Sequence, residues 1–207
     1  VQALMGLADT GAIGVVSFSP EYMNFPTDHP CHQGFFPDPY LSEADVLVVV
    51  DCDVPWFTNI KKPRDSAFII QAGIDPFYSD YPIRGFPSDL TLQGDPALIF
   101  SGLKRAISDL SDGNEGAMAA RGKRLQKTHD AAVKGWHASA QDAANDRPID
   151  PRWVSQSVNR ILGDEGILVN EYDNSMKEYA GKRPGSYFGS PHAGYLGWGL
   201  GAALGIK

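Results

Sequence analysis

Cysteine is nearly missing from this chain: only Cys31 and Cys52 occur in 207 residues. That excludes the disulfide framework that staples small secreted domains, and no stretch ahead of them reads as a signal peptide. A reducing, cytoplasmic setting is therefore expected. Long apolar runs are missing too. Residues 196–206 are apolar but fall short of the roughly 20 residues that span a bilayer, so no membrane partner is expected. Basic residues are few. Eighteen Lys and Arg stand against 25 Asp and Glu, giving a net charge of −7 and a pI near 5.1. Phosphate backbones are bound by clustered cations that displace counterions, and here the cations are scattered, which excludes a nucleic-acid binder. The one short run, Arg121-Gly122-Lys123-Arg124, reads as a solvated helix face.

What is present is globular: 43% hydrophobic residues, with 22 Gly and 15 Pro. That suits one domain or two small ones. The chain opens in a helical pattern, Val1-Gln2-Ala3-Leu4-Met5-Gly6-Leu7, and closes at Gly205-Ile206-Lys207 inside another. Neither end carries helix-capping chemistry, so a piece with both flanks missing is the expectation.

Nearly continuous β-branched runs at residues 13–18, 46–50, 67–72 and 166–170 read as parallel strands covered on both faces. Helices are expected between them. Asp38-Pro39, Asp95-Pro96 and Asp150-Pro151 each offer a carboxylate at the N-cap and a proline at the first helical position, and Asp75-Pro76 offers the same for a shorter turn. Alternating strand and helix predicts an α/β, doubly wound parallel-sheet domain over residues 1–112. Residues 113–148 read as a polar helical connector. Residues 149–207 begin a second α/β domain, with a helix over 152–162, a single strand at 166–170, a Gly/Pro/Ser loop and a terminal helix. One strand makes no sheet, so this second unit is expected to be incomplete.

The strongest constellation is Gly194-Tyr195-Leu196-Gly197-Trp198-Gly199-Leu200-Gly201-Ala202-Ala203-Leu204-Gly205. Glycines 197, 201 and 205 recur every four residues and leave one helix face bare for close packing. Gly194 stands where loop turns to helix, with free N–H groups and no Cβ to block a ligand. The dinucleotide fingerprint fits the spacing loosely but not the context, because a loop and not a strand leads into these glycines.

This stretch, with Ile206 and Lys207, resembles the start of the diphosphate-binding domain of thiamine-diphosphate enzymes such as acetolactate synthase, benzoylformate decarboxylase and oxalyl-CoA decarboxylase. The resemblance implies that the Gly194 carbonyl accepts from the cofactor's 4′-amino group. It implies too that Leu196, between Tyr195 and Gly197, wedges between the cofactor rings. Upstream, Ile167-Leu168-Val169-Asn170-Glu171-Tyr172-Asp173-Asn174-Ser175 resembles the first strand and loop of that domain. Glu171, Asn174 and Ser175 are then expected near the diphosphate. The family often has Gly and then Gln-His in this loop, where this chain has Asp173, Asn174 and Ser175. Residues 21–30, 44–56 and Gly94-Asp95-Pro96 resemble the family's central domain, so the likeness covers nearly the whole chain.

It implies an enzyme using thiamine diphosphate and Mg²⁺ on a 2-oxo acid, decarboxylating with or without carboligation, as a homodimer or homotetramer. The family's glutamate and its Gly-Asp-Gly metal motif do not occur here: Gly94-Asp95 runs into Pro96 and Gly163-Asp164 into Glu165. The chain alone is expected to be inactive, with no catalytic or metal-ligating residue assigned. His192, just before the match, is a candidate to face substrate as an acid or base. His29-Pro30-Cys31-His32 groups ligand-type residues, but nothing else in sequence completes a tetrahedral set, so it reads as an ordinary loop. Asp51 and Asp53, after a strand, read as turn carboxylates. The alternative is a non-catalytic FAD- or ADP-binding or assembly module built on them.

Overall fold

The structure is a computed structural model that describes residues 1–171, 175–178, 181–191 and 193–206, with the Met176 side chain left aside. The chain is mixed α/β. Three strands, β1 (Val46–Val50), β2 (Phe68–Gly73) and β3 (Leu90–Gln93), form a parallel sheet in that order. Val46 faces Phe68 and Val50 faces Ala72, while Ile70 faces Leu90 and Gly73 faces Gln93. Central β2 is buried along five of its six residues, which is why it reads as an unbroken apolar run. On one face, Ile69 meets Leu41 and Trp56, with Leu47, Val49 and Phe86 around them. β3 has no counterpart in the sequence expectations, because Leu90-Thr91-Leu92-Gln93 is short and half exposed.

Helix α1 (Gln2–Gly11) lies on α3 (Pro96–Asp109), and a Cβ added at Gly11 would stand 3.3 Å from Ile107. Short α2 (Asp38–Leu41) does not start on the expected Asp-Pro cap. Its cap position is Pro37, already in helical conformation, and Asp38 makes no capping bond. The other two helix-start prolines behave as expected. Asp95 accepts from Ala97 N–H at 2.7 Å, and Asp150 accepts from Arg152 N–H at 2.8 Å to start α5 (Pro151–Leu162). Asp75 holds its turn by accepting from both N–H and Oγ of Ser79 at 2.7 Å.

The strand expected at residues 13–18 does not join the sheet. Val15 pairs instead with the segment around His32: its N–H donates to Cys31 O, its carbonyl accepts from Gln33 N–H, and Ser17 N–H donates to Gly34 O. The extended stretch then ends at Ser19, in left-handed conformation at φ 44°, followed by Pro20. Gly14 fits so closely there that a Cβ would sit 3.1 Å from Gln33 and 3.2 Å from Leu125. Tertiary threading, not strand propensity, decides this segment.

The connector is one 28-residue helix, α4 (Glu115–Asp142), about 42 Å long at 1.5 Å per residue. It is a spine, not a spacer. Arg121, expected to face solvent, donates from Nε to Ala12 O at 2.9 Å and from Nη2 to Gly11 O at 2.6 Å, closing the end of α1. Leu125 packs on the cluster of Ala8, Phe25 and Cys31. Trp136 lies 5.9 Å from Phe35, and Gln141 bonds Gln156 of α5.

The single expected strand of the C-terminal part also has a partner. β4 (Leu168–Asn170) pairs in parallel with β5 (Tyr187–Gly189), inside the stretch expected to be loop. Tyr187 is buried against Met23 and Leu168, and Gly189 N–H donates to Glu21 O. β5 escapes sequence reading because three residues between Gly185 and Pro191 show no periodicity. The final helix, α6 (Trp198–Ile206), buries no residue. The glycine face expected to receive a close neighbour meets nothing among the described residues: added Cβ atoms at Gly197, Gly201 and Gly205 find none of their atoms within 4 Å.

Candidate functional site

The C-terminal end of β4 brings together several of the residues singled out in the sequence. Glu171 follows the strand directly. Its carboxylate accepts from Gly197 N–H at 2.5 Å and from Gly199 N–H at 2.7 Å. Both donors belong to the start of α6, where N–H groups lack helical partners and the helix dipole favours an anion. The glycines have a reason here: a Cβ at Gly199 would stand 2.9 Å from the Glu171 carboxylate, and Gly197 sits at φ 90°.

Gly194 lies four residues before the helix, not at its first turn. A Cβ there would meet Ser190 Oγ at 2.5 Å and Pro191 O at 3.0 Å, and its N–H donates to Pro191 O at 2.7 Å. The close approach that glycine permits is thus to the chain's own loop. Tyr195 and Leu196 are each 87% exposed, so the expected wedge projects into solvent. Ser175 is tied elsewhere, its N–H donating to Ser155 Oγ of α5 at 2.8 Å. Asn174, Asp173, His192 and Lys207 lie outside the described residues.

Just past Ser175, Glu178 is 2% exposed, packed where α4 and α5 meet. Burial pushes its carboxyl above the usual range, with His137, Lys177 and Arg152 pulling the other way. His137 Nδ1 stands 3.7 Å from Glu178 Oε2. His137 also lines an open hollow of about 450 Å³ with Gln141, Gln156, Asn159 and Arg160. No sequence pattern joins residues 137 and 178; helix packing alone pairs them.

A second constellation lies past the C-terminal ends of β1 to β3. Asp51, Gly73 and Gly94 all have positive φ, at 41°, 144° and 156°. Arg84 crosses this edge, donating to the carbonyls of Asp53 and Cys52 at 3.1 Å and to Gln71 Oε1 at 3.2 Å. Its guanidinium also lies over Tyr78 and Phe86. Burial, then the Asp53 charge, pushes the Cys52 thiol up to about 11, favouring the protonated form. Burial also raises Asp51 and Tyr78. Arg84 is committed to the fold, and Asp51, Asp53 and Asp95 make the edge acidic.

A third cluster joins part of the histidine-cysteine motif to α1. His29 Nε2 is 3.2 Å from Asp9 Oδ1, and His29 Nδ1 accepts from Cys31 N–H at 3.1 Å. Burial, then Asp9, raises the Cys31 thiol. Cys31 and Cys52 are both free thiols. His32 is not part of this group and is fully buried among Phe25, Phe35 and His129.

No helix among the described residues is long and apolar enough to cross a membrane. No family model and no curated protein matches this chain.

Proposed function

We propose that this chain is the central domain and the first part of the cofactor domain of a thiamine-diphosphate-dependent enzyme acting on 2-oxo acids. In this reading the three-stranded sheet belongs to a doubly wound central domain, and the whole enzyme is an acetolactate-synthase-like homodimer or homotetramer. One observation carries it. Two residues of the glycine motif, Gly197 and Gly199, lie at the end of β4, where their N–H groups at the entry to α6 hold an anion, the Glu171 carboxylate.

The local chemistry fits the pyrimidine side of the cofactor. Leu196 is large, apolar and exposed between Tyr195 and Gly197, and the backbone at Gly194 is fixed by tight packing. Gly194 and Leu196 would hold the pyrimidine, and Glu171 would keep the start of α6 oriented. The cofactor would supply a nucleophilic carbon and a cationic ring able to serve as the electron sink for decarboxylation of a 2-oxo acid. Mg²⁺ does not fit. The only group of three or more ligand-type side chains close enough to share an ion, among the described residues, is Asp9, His29 and Cys31, and it is not at this site.

The nucleotide-module alternative has less support, because the sheet edge it would use is acidic and its arginine is engaged.

Calorimetric titration with thiamine diphosphate is expected to give weak binding, on the order of 0.1–1 mM, weakened at least fivefold by Leu196→Ala. No CO₂ release is expected from these 207 residues. Release from pyruvate or benzoylformate is expected once a glutamate-bearing domain and a Gly-Asp-Gly segment are joined to them. Silence of that longer protein with every 2-oxo acid and with oxalyl-CoA would overturn the reading.

A further inference from the structure

The histidine-cysteine motif is left unused by the cofactor reading, and the fold gives it the third group that sequence alone does not supply. Asp9 comes from the last turns of α1, His29 and Cys31 from the loop that follows Phe25. A carboxylate oxygen, an imidazole nitrogen and the Cys31 sulfur all lie within 4.8 Å of one another. We propose that Asp9, His29 and Cys31 form a binding site for a borderline-soft divalent cation of the Zn²⁺ type, with the fourth position open to water.

The positions are held from both sides. Ile13 N–H donates to Ala8 O, closing the end of α1 beside Asp9. His29 N–H donates to Pro26 O, and Cys31 O accepts from Val15 N–H at 2.8 Å. The Phe25 ring packs on His29 with centroids 4.7 Å apart. Cys31 and the His29 side chain are almost wholly buried, whereas the Asp9 side chain is 66% exposed, giving an entry path from solvent. The thiol makes a weak contact, donating to Ala8 O at 3.8 Å.

The donor set selects the metal. Thiolate and imidazole disfavour Mg²⁺ and Ca²⁺, which want oxygen, and suit Zn²⁺ or Co²⁺. Zinc bonds of 2.0–2.3 Å in a tetrahedron place neighbouring donor atoms about 3.3–3.8 Å apart. The 3.2 Å between His29 and Asp9 is already close to that edge, and Cys31 has up to about one ångström to close. Thiolate and carboxylate together neutralise the ion.

The metal-free hydrogen bonds set the affinity class. Nδ1 of His29 accepts from Cys31 N–H, so the ring proton sits on Nε2 and points at Asp9, where the ion would bind. On loading, the thiol proton leaves to solvent, the ring proton moves to Nδ1, and the Cys31 N–H bond is given up. A metal-bound imidazole normally donates from its other nitrogen. With three ligands and one rearranged bond, a dissociation constant on the order of micromolar is expected, far weaker than a four-ligand structural zinc site.

The test is titration of the full chain, under reducing conditions, with Co²⁺. A 1:1 complex is expected, with the near-ultraviolet thiolate-to-cobalt band and the strong visible bands of four-coordinate cobalt, both bleached by Zn²⁺. Cys31→Ser should abolish the ultraviolet band, and Cys52→Ser should keep it. Because Cys31 is a core residue, exposed Asp9→Asn serves as the second variant, with a loss of at least tenfold in affinity. Absence of a 1:1 band at millimolar Co²⁺, a band that follows Cys52, or unchanged affinity in Asp9→Asn would each overturn the site. None of these outcomes depends on thiamine diphosphate, since no residue is shared with the cofactor reading.

Discussion

His32 shows how much one buried side chain determines. Its ring is fully enclosed, and neither nitrogen has a hydrogen-bond partner among the described residues. Burial, then the neighbouring His129 and His29, lowers its pKa from 6.5 to about 4. The unfolded chain therefore takes up this proton first as pH falls. Stability is full above about pH 6.5 and declines as pH drops toward 4, by roughly 3 kcal/mol if the whole shift is realised. Urea unfolding at pH 7 and pH 4.5 should register this loss, and His32→Leu should remove most of the difference between the two. An undiminished pH dependence in that variant would assign the effect to other groups. The sequence marked His32 as ligand-type. Only its burial between Phe25 and Phe35 makes it a neutral core residue.

Among the elements, α4 departs most from its composition. Its amino acids are polar nearly all round, which on the pattern alone describes a solvated connector. Its sparse contacts are specific ones instead: Arg121 on the end of α1, Leu125 O accepting from Gln33, His129 Nδ1 on His32 O, and His137 beside Glu178. Covered positions 118, 122, 125, 129, 132, 136 and 140 recur every three to four residues, but glycine, alanine and histidine fill most of them, so no apolar stripe marks that face. Arg121→Ala should lose two charge-assisted bonds to carbonyls of α1 and destabilise the chain by about 2 kcal/mol in denaturant unfolding. An effect below about 0.5 kcal/mol would return the arginine to the solvated face its sequence suggests. The strands divide for a similar reason. β1 and β2 are legible because both are β-branched, apolar and paired along their length. β3 and β5 are three or four residues long, and their strand character comes from the neighbour they meet.

At the scale of the whole molecule, the apolar residues do not all find cover. α6 is the most apolar helix by composition, yet Leu200 and Leu204 are each 75% exposed and its glycine face meets nothing among the described residues. It is held through the two bonds from Glu171 and few other contacts with β4. Local opening should therefore be far easier in α6 than in β2, whose residues 69–73 are buried. Native-state hydrogen exchange is expected to show α6 amides exchanging at least a hundredfold faster than those of Ile69 to Ala72. Equal protection would mean that α6 is covered by something these contacts do not include.

The sequence by itself determined what depends on neighbours along the chain. It set the α/β alternation, the Asp-Pro starts of α3 and α5, the unbroken apolar β1 and β2, and the glycine motif with its resemblance to a cofactor domain. Those features follow from local sterics, capping and hydrophobic pattern, all readable within a few residues. The tertiary structure decided what depends on residues far apart. It drew Val15 into pairing with the His32 segment, turned α4 into a spine, set Glu171 on the start of α6, and carried Asp9 to His29 and Cys31. Those pairings join residues from 17 to 110 positions apart, and no local pattern encodes where such a loop closes.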